Sequence, residues 1–336
     1  MSTTTLRSFT DFILYSRLRA FGVAFAVTFI PLIGTISIVI AGLVTLRKGA
    51  LEGFWILAAA TLPYFVPSLI HILQHPNESL GLGLILISTV AVISNILTWF
   101  LAILLRRFNN WNFILELCTL IGIILITTAH VAVPNLDNWW EKRLNTHLSQ
   151  MLSGKDINSV KKPAVSEKAI SSQEDTDDNL DPEISSLVSM AKSYMTGIIT
   201  ASLLFSALLQ LFVSRWWQMA LVHSKQFSEE IHHIRLTSMA GLVFLITLIL
   251  SYLKIPLALD LLPVLYLAFC LAGLSVVHYA ASKFKGFAWL CLLVFYGLLI
   301  GSWMVYKLPL FFQLVAMAAL LDVWFDWRGR LDKRFP

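Results

Sequence analysis

Apolar runs close to twenty residues long recur along this chain. FILELCTLIGIILITTAHVAV (113–133) and LALDLLPVLYLAFCLAGLSVV (257–277) are two of them. A helix rises 1.5 Å per residue, so about twenty residues cross the roughly 30 Å of hydrocarbon in a bilayer. Soluble domains are about 45–50% apolar and about 25% charged. The 336 residues here are 57% hydrophobic and 13% charged, with a mean hydropathy of +0.74. One soluble core cannot hide that surplus, and no segment shows the ten-residue dyad alternation of a membrane barrel. The expected fold is all-α: a polytopic transmembrane helical bundle.

Eight full spans are expected, at about 53–75, 80–105, 111–134, 193–214, 237–253, 256–282, 286–306 and 309–325. Residues 20–46 are long for one helix, and Pro31 and Gly34 fall near the middle. Proline removes a backbone donor and crowds the preceding turn. Either one broken span or a hinged hairpin fits the pattern. Cationic turns favour the hairpin, because membrane proteins keep lysine and arginine on the cytoplasmic side. Placing Arg106 and Arg107 inside also puts inside Arg47–Lys48, the 214–236 loop, Lys283, Lys285 and the Arg328–Arg334 tail. A hairpin over 20–46 adds Arg7, Arg17 and Arg19 to that side, so both termini are expected in the cytoplasm. A helical hairpin at membrane depth needs burial among other helices.

The chain thus divides into an N-terminal membrane half (1–134), an extracytoplasmic insertion (135–192) and a C-terminal membrane half (193–336). The middle of the insertion, SGKDINSVKKPAVSEKAISSQEDTDDNLDPE, is polar without periodicity and is expected to be disordered. Its start, LDNWWEKRLNTHLSQML, repeats Trp140, Leu144, Leu148 and Met151 at helical spacing, which predicts a short amphipathic helix. Cys118, Cys270 and Cys291 lie within apolar runs at no metal-ligand spacing. The net charge of +5 belongs to topology-setting turns and gives no case for nucleic acid binding.

SRWWQMALVHSKQFSEEIHHIRL (214–236) concentrates acid, base and imidazole between two apolar runs. Trp216, Ala220, Phe227, Ile231 and Ile234 share one helical face, with Arg215, Gln218, Lys225 and Glu229 elsewhere. This predicts an amphipathic interfacial helix over 214–236, whose marked residues are Arg215, Trp216, Trp217, Glu230, His233 and Arg235. Two chemical readings compete. His223, Glu229, His232 and His233 offer zinc donors, but adjacent histidines diverge by about 100° on a helix and no HExxH is present. An intramembrane protease of the CAAX-processing type, with two glutamates, three residues and then arginine, would need another register, since four residues separate Glu230 from Arg235. No catalytic residue, metal site or cofactor is expected.

Three stretches carry a resemblance. RWWQ with FSEEIHHIRL, SRLRAFGVAFAVTFIPL running into VTLRKGALEG, and LLDVWFDWRGRL resemble the YybS-like predicted bacterial membrane proteins, a family without an assigned activity. The resemblance implies a bacterial inner-membrane protein and no catalytic residues. More distantly, Pro31, Gly34 and the turn Lys48-Gly49-Ala50 are similar to the substrate-binding subunits of energy-coupling-factor transporters, which enclose a ligand among short early helices.

Ionisable groups within spans are costly, by about 2.5–3.5 kcal/mol on insertion scales, and mark candidate sites. Glu116 and His130 lie fourteen residues apart on one face, separated by roughly 21 Å. With Asn95 they form the candidate intramembrane polar site; helix-joining hydrogen bonds are the alternative role. Asp322, Asp326 and Arg330, spaced by four, predict an ion-pair ladder. Gly197–Ala201 and Ala268–Ala272 predict close helix packing. The leading expectation is a membrane protein that binds or translocates a small solute near the 20–46 hairpin. The alternative is a scaffold recruiting a membrane-protein partner, or a second copy, through 135–192 and 214–236.

Overall fold

The computed structural model describes residues 3–30, 34–74, 79–156, 188–189, 191–220, 224–284, 286–306 and 310–334. Among them there is helix and turn but no strand. The N-terminal half holds α1 (Thr3–Tyr15), α2 (Arg17–Thr28), α3 (Thr35–Lys48), α4 (Ala50–Gln74), α5 (Ser79–Phe108), α6 (Trp111–Ala132) and α7 (Leu136–Asp156). The C-terminal half holds α8 (Met195–Ala220), α9 (Ser224–His232), α10 (Ser238–Tyr252), α11 (Pro256–Ser282), α12 (Ala288–Tyr306), α13 (Leu310–Phe325) and α14 (Trp327–Arg334). The part of the insertion expected to be disordered lies largely outside the described residues, and so do Pro31 and His223.

Among the described residues five helices are long and apolar enough to cross a membrane: Ala50–His71, Ser88–Phe108, Trp111–Ala132, Met195–Ala220 and Pro256–Ser282. The other three expected spans are shorter apolar helices, Ser238–Tyr252, Ala288–Ser302 and Phe311–Phe325. At 1.5 Å per residue, the 15 residues of α10 reach only about 22 Å. Left-handed residues end several helices abruptly: Asn109, Lys254 and Asp326 all have positive φ, as does Asn135 just before α7. Asparagine tolerates that conformation best, so Asn109 stops α5, while Asn135 turns the chain into the start of α7.

Two apolar cores form. In the first, every residue of α3 from Ser37 to Leu46 is buried, as expected of a helix apolar all round. It is enclosed by α2, α4, α5 and α8. Gly42 admits Ser214 of α8, whose hydroxyl donates to the Val39 carbonyl at 3.0 Å. The second core joins α6, α8, α10, α11 and α13, with Phe244 stacked on Phe269 at 4.5 Å. Here Gly197 lies against the Asp260 backbone, and Ala268 and Ala272 are buried.

Polar contacts define two ends of the bundle. At one end Arg17 pairs with Glu52, Lys48 donates to the Leu14 carbonyl and Trp217 donates to Thr10. Arg106 donates to the Thr45 carbonyl at 3.1 Å beside Gly49, whose φ of +121° suits only glycine. Both Arg17 and Lys48 therefore sit at this end, with α2 and α3 packed side by side between them. At the other end His130 meets Asp260, and Trp140 of α7 donates to Thr196. Outward faces are greasy: Leu120 and Ile124 of α6, Ile249 of α10, and Leu293 and Leu298 of α12 are all exposed. Water-facing monomers rarely show apolar cover on that scale, which hydrocarbon accommodates.

A Cβ at Gly197 would overlap the Asp260 carbonyl oxygen. Gly197→Val is expected to cost about 1–3 kcal/mol by overpacking, read as a lower midpoint of thermal unfolding in detergent, whereas Gly301→Val, with open space around it, is expected to leave the midpoint unchanged.

Candidate functional site: an apolar cavity with a pinned floor

Residues 214–236 do not form one interfacial helix. The long helix α8 carries through to Ala220, so Arg215, Trp216 and Trp217 belong to a bundle helix, and α9 is confined to Ser224–His232. Continuation buries what a surface helix would have exposed. Arg215 is only 6% exposed, and Trp217 is buried, stacked on Phe9 at 6.0 Å with its indole N–H on Thr10 at 2.9 Å. Trp216 alone of the three faces outward, 48% exposed.

Arg215 organises one side of α9. Its guanidinium donates to both carboxylate oxygens of Glu230, to the Gln218 amide oxygen at 2.9 Å and to Asn109 Oδ1. The fork geometry suits a bidentate carboxylate. Trp111 Nε1 donates to the same Glu230 at 3.2 Å. The apolar side of α9 follows the pattern expected from sequence: Phe227 is buried, 5.0 Å from the Phe212 ring, while Ile231 turns inward.

Beyond α9 the backbone leaves the helix over residues 233–237 and re-enters it at α10. Unwound backbone has donors and acceptors that no helix satisfies, and this stretch is only partly open to water. Side chains from other helices supply the partners. Arg328 donates to the carbonyls of His232 and Ile234. Ser275 donates to the Ile231 carbonyl, Asn112 Oδ1 accepts from the Arg235 N–H at 2.8 Å, and Glu116 Oε1 accepts from the Thr237 N–H at 2.7 Å. Asp322, 1% exposed, backs Arg328 with Oδ2 3.1 Å from Nε. Arg235 reaches Asp326 at 2.9 Å and the Asp322 carbonyl at 2.6 Å. His233 is exposed and bonded to the Glu229 carbonyl.

The expected intramembrane polar site is therefore not assembled. Glu116, the sixth residue of α6, holds the start of α10 at one end of the bundle. His130 pairs with Asp260 at the opposite end, at 2.8 Å, where Asp260 also accepts the Gly197 N–H at 3.0 Å. Asn95 is buried in α5, where Ser94 and Thr98 lean on α8. Nor does the ladder form along one helix, because the positive φ of Asp326 ends α13 and turns Arg328 onto Asp322 and Asp326 onto Arg235. Arg330 lies instead over the Phe325 ring.

What the pinned segment does enclose is a cavity of about 320 Å³. Its walls come from α6 (Trp111, Leu115), α8 (Phe205 to Phe212), α11 (Leu271 to His278) and Tyr296 of α12, and Ile231 and Ile234 close its floor. Phe205 and Leu209 line it while being 45% and 48% exposed, so the mouth opens at the outer face of α8. Small-molecule sites are concave and mostly apolar with a few polar groups, and begin at about 300 Å³. Expectation placed the cavity near the N-terminal hairpin, but α3 is packed tight there. Among the described residues no cluster of three or more histidine, cysteine or acidic side chains is placed to hold a metal.

Fold and site together define a helical bundle of membrane character with an apolar chamber near one end. No protein-family model, no curated protein and no solved structure matches the chain.

Removing one partner of a buried ion pair costs about 3–5 kcal/mol, whereas replacing both is often neutral. Arg215→Met is expected to lose about 3 kcal/mol in a denaturant titration, and Arg215→Met combined with Glu230→Met to regain most of it. A second expectation concerns pH. Burial, then the neighbouring histidines and Arg328, hold the His232 imidazole below its usual value, with Glu229 opposing weakly. The folded state thus resists protonation more than the unfolded chain. Stability is full above the unfolded value of about 6.5 and falls as pH drops through the folded value. His232→Gln should flatten that acid-side loss in melting experiments between pH 7.5 and 5.

Proposed function

We propose that this chain is a multi-pass bacterial membrane protein that takes a small apolar solute into the chamber between α6, α8, α11 and α12. The observation that carries the proposal is a 320 Å³ apolar cavity whose mouth lies on a lipid-facing helix surface and whose floor is fixed by buried charge. A mouth on the outer face of α8 lets a solute enter sideways from the hydrocarbon, without crossing water.

In the proposed membrane arrangement the end rich in lysine and arginine is cytoplasmic. Arg17, Arg47, Arg106, Lys283 and Arg328 gather there, and both termini follow. The pair α2 and α3 then forms an interior hairpin, and α7 lies on the outer surface with Trp139 and Trp140 at the headgroups. The YybS-like assignment and the inner-membrane location rest on the three stretches quoted above.

Photolabelling in lipid nanodiscs with a neutral alkyl diazirine tests the binding role. Peptides 205–212 and 271–278 are expected to be labelled well above the lipid-facing Ile246–Ile249 stretch. Leu274→Trp, which fills the chamber, is expected to cut that excess at least fivefold while the protein still melts cooperatively. Equal labelling of all three stretches, unchanged by Leu274→Trp, would contradict the proposal.

A further inference from the structure

The polar groups of the chamber are few and almost all engaged. Four lining residues carry a polar side-chain atom: Trp111, Ser275, His278 and Tyr296. The Trp111 N–H is held by Glu230, and the Ser275 proton by the Ile231 carbonyl. His278 Nε2 and the Tyr296 hydroxyl meet at 2.8 Å, bridging α11 and α12. That pair has capacity left whichever way its proton points. If the imidazole accepts, the phenol oxygen keeps a lone pair for a ligand hydroxyl. If the imidazole donates, the phenol O–H is free to reach a ligand carbonyl.

The surroundings select against charge. Among the described residues no lysine or arginine lines the chamber. The Arg215 guanidinium, which shares Glu230 with Trp111, already holds Glu230, Gln218 and Asn109, and Arg328 holds two carbonyls and faces Asp322. An anionic head would enter an apolar site without a counter-charge, which burial penalises heavily. Position matters as well. His278 stands four residues from the end of α11, while the α8 wall runs from Phe212 inward to Phe205, a depth of roughly 10 Å. Polarity therefore grades from a hydrogen-bonding end near the headgroups to a greasy interior, in the same sense as a lipid in that leaflet.

We infer that the chamber recognises amphiphiles with a neutral oxygen head, a hydroxyl or a carbonyl, on a hydrocarbon tail, and that the Tyr296–His278 pair is the specificity determinant. This rests on the binding role proposed above and names the ligand class for the same site. Tail and aromatic walls supply the bulk of affinity; the pair supplies the preference for one head over another.

Competition against the alkyl diazirine label, on full-length protein in nanodiscs, separates the two levels. The competitors are 1-dodecanol, 2-decyl-1,4-benzoquinone, dodecane and dodecyl phosphate. One hydrogen bond to a buried partner is worth about 1–1.5 kcal/mol, close to tenfold in affinity. Either the alcohol or the quinone, or both, is expected to displace the label at about tenfold lower membrane concentration than dodecane, with dodecyl phosphate no better than dodecane. Tyr296→Phe is expected to erase the tenfold advantage and leave dodecane unchanged, and His278→Gln to reduce it while melting normally. Labelling of the chamber with all four competitors equivalent, or with the phosphate strongest, or an advantage indifferent to Tyr296→Phe, overturns the head-group inference and leaves the binding role standing. Absence of chamber labelling overturns both.

Discussion

Five residues of unwound backbone, from His233 to Thr237, impose the demand that the rest of this molecule answers. Only Leu236 of the five is buried, with Ile234 and Arg235 half-buried and His233 and Thr237 exposed, so this irregular chain is held in place where side chains stand in for the helix ladder. Here the replacements come from four separate elements: Asn112 and Glu116 on α6, Ser275 on α11, and Arg328 on α14, with Asp322 at the end of α13 behind it. Those contacts fix where α10 begins, how α9 lies and what closes the chamber beneath Ile231 and Ile234. The Arg215–Glu230 pair secures the other flank.

A single physical economy links this to the fold. A membrane bundle lacks a hydrophobic drive between its helices, so close backbone approach and buried polar pairs must join them. Gly42 against Ser214, Gly53 against Thr45 and Gly197 against Asp260 provide the first. His130 with Asp260 and Arg215 with Glu230 provide the second, one at each end of the bundle. The cavity opens beside the exposed Phe205 and Leu209 of α8, with Tyr296 of α12 among its walls.

The helical class and the positions of the five long apolar helices were legible in hydropathy, because length and composition suffice to recognise them. Close packing at Gly197 and at Ala268–Ala272 was legible too, from small residues at helical spacing. The end of α8 was not. SRWWQMA has the composition of an interfacial segment, yet burial of Arg215 depends on a glutamate fifteen residues away and an asparagine 106 residues away. The start of α10, by contrast, was legible locally: the span expected from 237 begins where Thr237 caps the helix by accepting the Ala240 N–H. Glu116 misled for a related reason. Its charge in an apolar run suggested a pathway, but it is near the start of α6 and serves a distant amide. The chamber itself has no sequence signature, since its walls come from five helices that converge only in three dimensions.

The most direct test is hydrogen–deuterium exchange at the Arg235 and Thr237 amides in nanodiscs. Pinning by Asn112 and Glu116 predicts strong protection in the native protein, lost at both amides when Arg328→Leu frees the carbonyls of the same segment. Exchange at the rate of an open chain in the native protein would mean that the segment floats free at the membrane surface, and the pinned floor would have to be abandoned.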